Sequence, residues 1–442
     1  MPLQAKPFCL REDILFVRHS LRILVPLVLL MTALPLFGAP LSIQYDLVAR
    51  TNVTAIPGGV GSFNGLTEAP AIDSDGNVAF VGSGGLDGNG ISQSGIYTLI
   101  DGQHQKVADK NTLIPGGSGA KFTIFYGSDL NDIDAGRVAF RANTVSIGTV
   151  RGLYTNVGQP GPNNLVELAI VDGNEWTDSG HPWVADGKVA MRGKLPSGQT
   201  EILLWDSFDL SMDYIDPGVG YVVSPANQPS ISGDATMYRR YKSGSSQMVI
   251  DNAGSIEVLA TIGSTPLPGQ PGEVFSNFNY YPALDRNGLD AAFQGTGGAF
   301  RGVYKRANGG ALTAVADTST AVPGTASNVF YFFDEAGISV ANGQVAFYAD
   351  GLNFLHGIYT DIGGDLSVIV DDQDNNTIEI DGQQEQISDL RFSSKSFAYT
   401  PNGYMVVFRA ALQSGGTAII KATININRSK GSDVLFYGGF ED

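Results

Sequence analysis

Residues 130–140 read LNDIDAGRVAF, an aspartate-rich approach, an Ala-Gly turn and a short apolar strand ending in Phe140. Six further stretches have the same grammar: PAIDSDGNVAF (70–80), PWVADGKVAM (182–191), PSISGDATM (229–237), PALDRNGLDAAF (282–293), ISVANGQVAF (338–347) and YTPNGYMVVF (399–408). Their last residues, Phe80, Phe140, Met191, Met237, Phe293, Phe347 and Phe408, stand 46 to 61 positions apart. A period near 50 is that of propeller blades. The Gly-containing turns supply the positive φ that a tight, right-twisted hairpin demands.

Working outward, each copy continues into a second strand: GIYTLI (95–100), RGLYTNV (151–157), EILLW (201–205), QMVID (247–251), RGVYKR (301–306), HGIYTDI (356–362) and TAIIKATI (417–424). A third strand follows in most copies, as in QKVAD (105–109), VELAIVD (166–172), IEVLAT (256–261), LTAVAD (312–317) and LSVIVDD (366–372). Pro-Gly loops such as Pro115-Gly116, Pro268-Gly269 and Pro323-Gly324 lead to Phe122, Phe275 and Phe330, which open the next repeat. Each repeat therefore predicts four short strands, A to D, with repeats 2 and 3 less regular in strand D. The seventh stops after its C strand, whereas IQYDLVAR (43–50) at the other end reads as a D strand followed by a Pro-Gly loop. The expected fold is all-β, a seven-bladed β-propeller closed by its N-terminal strand; closure removes the free edges that a linear array would leave.

The pattern N-D-x-G-x-V-A-F … G-I-Y … V-A-D … P-G resembles an uncharacterised family of bacterial exported tandem-repeat propellers, and is similar to TolB-like and WD40-like repeats. The likeness covers about 43–424 and implies the fold; it carries no reaction. The ending DVLFYGGFED (433–442) resembles the I-F-x-x-G-F-E termini of some exported bacterial proteins, with Leu435 where Ile stands; an apolar tail packing on the ring is the alternative.

Composition agrees with a turn-dense β protein: 56 glycines, 21 prolines and 10% aromatics in 442 residues, with one cysteine. Those values exclude collagen-like, coiled-coil and disordered classes. The apolar stretch from Leu21 to Phe37, flanked by Arg11, Arg18 and Arg22, reads as a signal-peptide core, with a retained anchor as the alternative. The expected division is therefore 1–39 presequence, 40–424 propeller and 425–442 tail, in a secreted or cell-surface bacterial protein that meets a membrane only through an uncleaved N-terminal segment. Net charge is −17 for the whole chain, and falls to −19 without residues 1–39. Such a polyanion is repelled by phosphate backbones, which excludes nucleic acid as a partner. Cys9 leaves with the presequence, so no disulfide or thiolate chemistry is expected.

Catalytic signatures fail: there is no G-x-S-x-G elbow, no H-E-x-x-H and no phosphate-binding loop. The A–B turns are stereotyped, so their face reads as structural. The B–C and D–A segments vary and are where function is sought. Trp176, His181 and Trp183 share one such segment, and Tyr280 and Tyr281 follow another. Flat rings among Asp, Asn and Gln suit sugar recognition, although aromatics filling space between blades give the same pattern. Asp372, Asp374 and Asn376 alternate like the start of a calcium loop but lack its glycine and closing glutamate; an ordinary turn is the alternative. No cofactor is expected beyond that calcium ion. The sequence favours a binding protein for a glycan or surface protein. An enzyme with carboxylates at the channel mouth, such as a glycan hydrolase or lyase, and a structural envelope protein are the alternatives.

Overall fold

The structure, a computed structural model, describes residues 41–116, 119–125, 131–143, 151–171, 178–226, 228–325, 327–373 and 376–426. Trp176, Asp374 and the ending 433–442 lie outside them. Seven antiparallel sheets follow one another along the chain, at 63–109, 124–171, 178–214, 222–261, 277–317, 330–371 and 377–426, the last completed by Leu41–Arg50. They are the seven blades of a propeller, numbered in that order. The expected A–B turns are present, with positive φ at Gly76, Gly136, Gly187, Gly288, Gly343 and Gly403. The Pro-Gly loops form matching bridged turns, Ala55↔Ser62, Leu113↔Lys121, Pro266↔Val274 and Ala321↔Val329.

The closing strand behaves as the repeat arithmetic requires. Leu41–Arg50 pairs antiparallel with Thr417–Ile426, from Leu41↔Ile426 to Arg50↔Ala418, with one bulge between Leu47 and Ala49. Its end is latched: Arg50 Nη1 lies 2.8 Å from Glu385 Oε1, and the Ser414 hydroxyl donates to the same carboxylate.

Blades 1, 2, 5 and 6 are filled by one recurring contact. The Phe after a Pro-Gly loop meets the Tyr of strand C edge-on: Phe63–Tyr97, Phe122–Tyr154 and Phe330–Tyr359 at 4.8 Å, and Phe275–Tyr304 at 4.9 Å between ring centres. All these rings are buried, which fixes them as core rather than ligand contacts.

Three features lie outside the sequence reading. Strand A is broken in every blade but the sixth; in blade 1, Phe63–Leu66 and Ala71–Ile72 both pair with Val78–Gly84. The breaks expose carbonyls, and long side chains on strand B of the preceding blade donate to them. Arg239 Nη1 reaches Phe278 O at 2.6 Å, Arg409 Nε reaches Leu66 O at 3.1 Å, and Arg192 reaches Pro225 O. In unbroken blade 6, Gln294 Nε2 serves the bulged strand at Phe333 O, 2.7 Å away. Turn aspartates staple the blades likewise: Asp73 accepts from Gly136 N at 2.8 Å, Asp134 from Asp186 N at 2.8 Å and Asp285 from Asn342 N at 2.6 Å. Finally, blade 7 carries an extra edge strand, Thr377–Ile380, while strand D of blade 3 shrinks to Met212–Tyr214.

Candidate binding site on the propeller axis

The second halves of the A strands touch their neighbours around the axis, so they form the channel wall. A cavity of about 230 Å³ lies there, to which every blade contributes: Ile72, Asp132, Trp183, Ile231, Arg286, Ser339 and Lys395, in blade order. An apolar cavity of about 150 Å³ holds a benzene molecule, so this one has room for a somewhat larger ring.

Two cations span the channel. Lys395, 4% exposed, comes from the break in strand A of blade 7; its ammonium bonds Pro182 O of blade 3 and lies 5.4 Å from the Trp183 ring centre. Arg286 leaves the A–B turn of blade 5 and crosses to blade 2, where it pairs with Asp134 and donates to Ile133 O at 2.8 Å. Asp132 is buried, which pushes its carboxyl upward in pKa against the pull of Lys395 and Arg286. Its oxygens accept from Val184 N at 2.7 Å and Ile133 N at 2.9 Å. Ser339 and Ser394 also line the cavity, and neither hydroxyl has a hydrogen-bond partner among the described residues. The aromatic wall is Trp183, Phe397 and Tyr399.

Asp285, on the rim, is pushed up to about 6, chiefly by burial. The folded protein thus holds a proton that the unfolded chain releases near the ordinary value of 3.8. Asp285 therefore makes stability fall as pH rises from about 4 to about 6, by on the order of 2–3 kcal/mol in all. In Asp285→Asn that part of the slope is expected to vanish. Urea midpoints at pH 4.5 and pH 7 measure it, and an unchanged slope refutes the assignment.

The residues selected from the sequence are partly brought together. His181, Tyr280 and Tyr281 sit at strand-A breaks of blades 3 and 5. Gln228 ties them, its side chain accepting from His181 N at 2.9 Å and its own N–H donating to Tyr280 O at 2.8 Å. The His181 and Tyr281 rings are 6.3 Å apart, and the Arg239 guanidinium lies 5.2 Å from the Tyr280 ring centre. Burial, then Lys395, Arg141 and Arg192, lower His181 to about 3, so it is neutral at pH 7 and no cation. Trp183 stands on the innermost strand, Trp183–Ala185, rather than in a loop. It belongs to the axial cavity, whose rim comes from A–B turn residues Asp285–Asn287 and Asn342. The turn face, read from the sequence as structural, thus borders this cavity.

At the candidate calcium loop, Asn376 Nδ2 donates to Asp371 Oδ1 at 2.6 Å and Asp372 Oδ1 accepts from His356 N at 2.9 Å. Asp371 plays the part that Asp109 and Asp317 play in their blades, accepting from the chain two residues on. Among the described residues no three metal-capable side chains converge. The sequence missed Asp132, Arg286, Ser339, Ser394 and Lys395, yet a signal existed. Asp132 and Ser339 stand on the inner part of strand A, Arg286 in the turn that follows it and Ser394 and Lys395 in its break, all within the repeat's own columns.

A family model matches residues 39–162 and 232–439. The chain belongs to this family of unknown function (DUF7453). The family's match leaves out 163–231, the stretch that holds blade 3 with His181 and Trp183. No curated protein matches. Among solved structures, the β-propeller domain of the Trilobed protease from Pyrococcus furiosus is 9% identical with a TM-score of 0.45, covering 84% of this chain and 98% of that one. Pyrococcus horikoshii acylaminoacyl peptidase is 11% identical with a TM-score of 0.44, covering 80% of this chain and half of its own. TolB from Acinetobacter baumannii is 14% identical with a TM-score of 0.34, covering 69% of this chain and 62% of that one.

Proposed function

We propose that the protein is a non-catalytic binding propeller that takes a small polar ligand, or the end of a longer one, in its axial cavity. The observation that carries this reading is the pair of unpartnered hydroxyls, Ser339 and Ser394, facing a cavity walled by Trp183, Phe397 and Tyr399. Both side chains line the cavity and, among the described residues, spend no protein hydrogen bond there, and a few polar groups beside aromatic side chains are the ordinary furniture of a ligand pocket. The chain's exported, bacterial setting is part of the proposal; the apolar segment 21–37 and the absence of cysteine after Cys9 support it.

The test is a thermal-shift screen of sugars, amino acids, organic acids and nucleosides on the full chain and on Ser339→Leu. That substitution fills the cavity without removing a protein hydrogen bond. A ligand at 100 times its Kd adds about 2.7 kcal/mol of stability, so a rise of a few °C in the wild type and none in Ser339→Leu is expected. No shift in any class, or equal shifts in both proteins, overturns the axial site. Asp285, raised to about 6 beside Arg286, is the one observation favouring a hydrolytic enzyme. Appearance of cleaved product in the same incubations would establish that alternative.

A further inference from the structure

Resting on the axial-site reading, we infer that the ligand is a neutral, hydroxyl-bearing ring of about one hexose unit. The charge inventory of the cavity decides its class. Two carboxylates, Asp132 and Asp285, face two cations, Arg286 and Lys395. Each is already engaged: Arg286 by Asp134, Lys395 by Pro182 O and the Trp183 ring, and both carboxylates by backbone N–H groups. A charged ligand entering here loses its hydration and upsets a balance of two carboxylates against two cations, a cost that buried ions do not readily recover.

What the cavity offers without a protein partner among the described residues is hydroxyls, those of Ser74, Ser339, Ser394 and Tyr399, and a hydroxyl both donates and accepts. Sugar hydroxyls have the same dual capacity, so they satisfy Ser339 and Ser394 whichever way the protons point. The remaining surface combines aromatic side chains, Trp183, Phe397 and Tyr399, with aliphatic ones, Ile72, Ile231, Leu284 and Val340. A pyranose presents matching C–H faces, and an aromatic ring beneath one of them loses no hydrogen bond. The same inventory disfavours uronic acids, amino sugars, free amino acids and nucleotides.

Calorimetric titration of the full chain at pH 7 tests this with methyl glucoside, methyl galactoside and methyl mannoside against glucuronic acid and glucosamine. At least one neutral glycoside is expected to bind 10-fold or more tightly than either charged sugar. Ser339→Ala and Ser394→Ala are each expected to weaken it 2- to 10-fold, the effect of one net hydrogen bond. Ser339→Leu abolishes it. Equal or tighter binding of a charged sugar, abolished by Ser339→Leu, overturns the neutral class while the axial site stands. Neutral-sugar binding that survives Ser339→Leu overturns both. Absence of binding by all five sugars overturns the saccharide class, and the thermal-shift screen then decides the site on its own.

Discussion

Val48→Asp is expected to stop the ring from closing. Val48 is 2% exposed in the strand Leu41–Arg50, inside the cluster that includes Phe63, Phe80, Met405 and Ile419. This cluster joins the last blade to the first. A carboxylate there has no partner, and an unpaired buried charge costs more than the loss of an apolar side chain. We expect at least 4 kcal/mol of destabilisation on the order set by such cases. The thermal transition then becomes broad or falls by about 10 °C, and limited proteolysis cuts first near residues 51–62. A melting curve superimposable on the wild type would show that closure contributes little to stability. Arg50→Ala tests the latch alone, where a partly exposed ion pair is worth about 1 kcal/mol or less.

Gly95→Ala is the second large effect. Gly95 opens strand C of blade 1, the first letter of the repeated G-I-Y, and faces strand D across the sheet. A β-carbon there would lie 2.1 Å from Ala108 O and 2.8 Å from Asp109 Cα. Both are backbone atoms of a paired strand, so the methyl is accommodated only by prising strands C and D apart. Gly302 in blade 5 is the same case, 2.5 Å from Ala316 O. Each substitution is expected to cost about 3 kcal/mol or more, as overpacking against backbone does. Gly85→Ala is the control, with nothing within 4 Å of the new carbon. Chemical denaturation of the three variants measures the contrast, and equal midpoints for Gly95→Ala and Gly85→Ala would refute it.

The repeat made the architecture legible because it states the same local physics seven times. Positive φ at the turn glycines and the missing D strand of blade 7 both followed from residues in fixed columns. The site was only half legible. Trp183, one of the rings in a variable D–A segment, does reach the axis, but through the inner strand and not a loop. Arg286 and Lys395 passed unnoticed because their partners lie in other blades, 152 residues from Arg286 to Asp134 and 213 from Lys395 to Pro182. No local spacing encodes such a bond. The broken A strand was hidden for the same reason, since its stray carbonyls are satisfied by side chains of the preceding blade.

The pairing of Leu41 with Ile426 has a mechanical meaning. The two strands that seal the ring run in opposite directions, so the described chain enters and leaves at the same end of the seam. A pull between those two ends does not shear the strands past each other. It loads the Leu41–Ile426 pair first, then each next pair in turn, as a zipper opens from its tab. The latch at Arg50 and Glu385 sits at the far end and feels the load last. A seam that shares its strain under heat is therefore taken apart one rung at a time under tension.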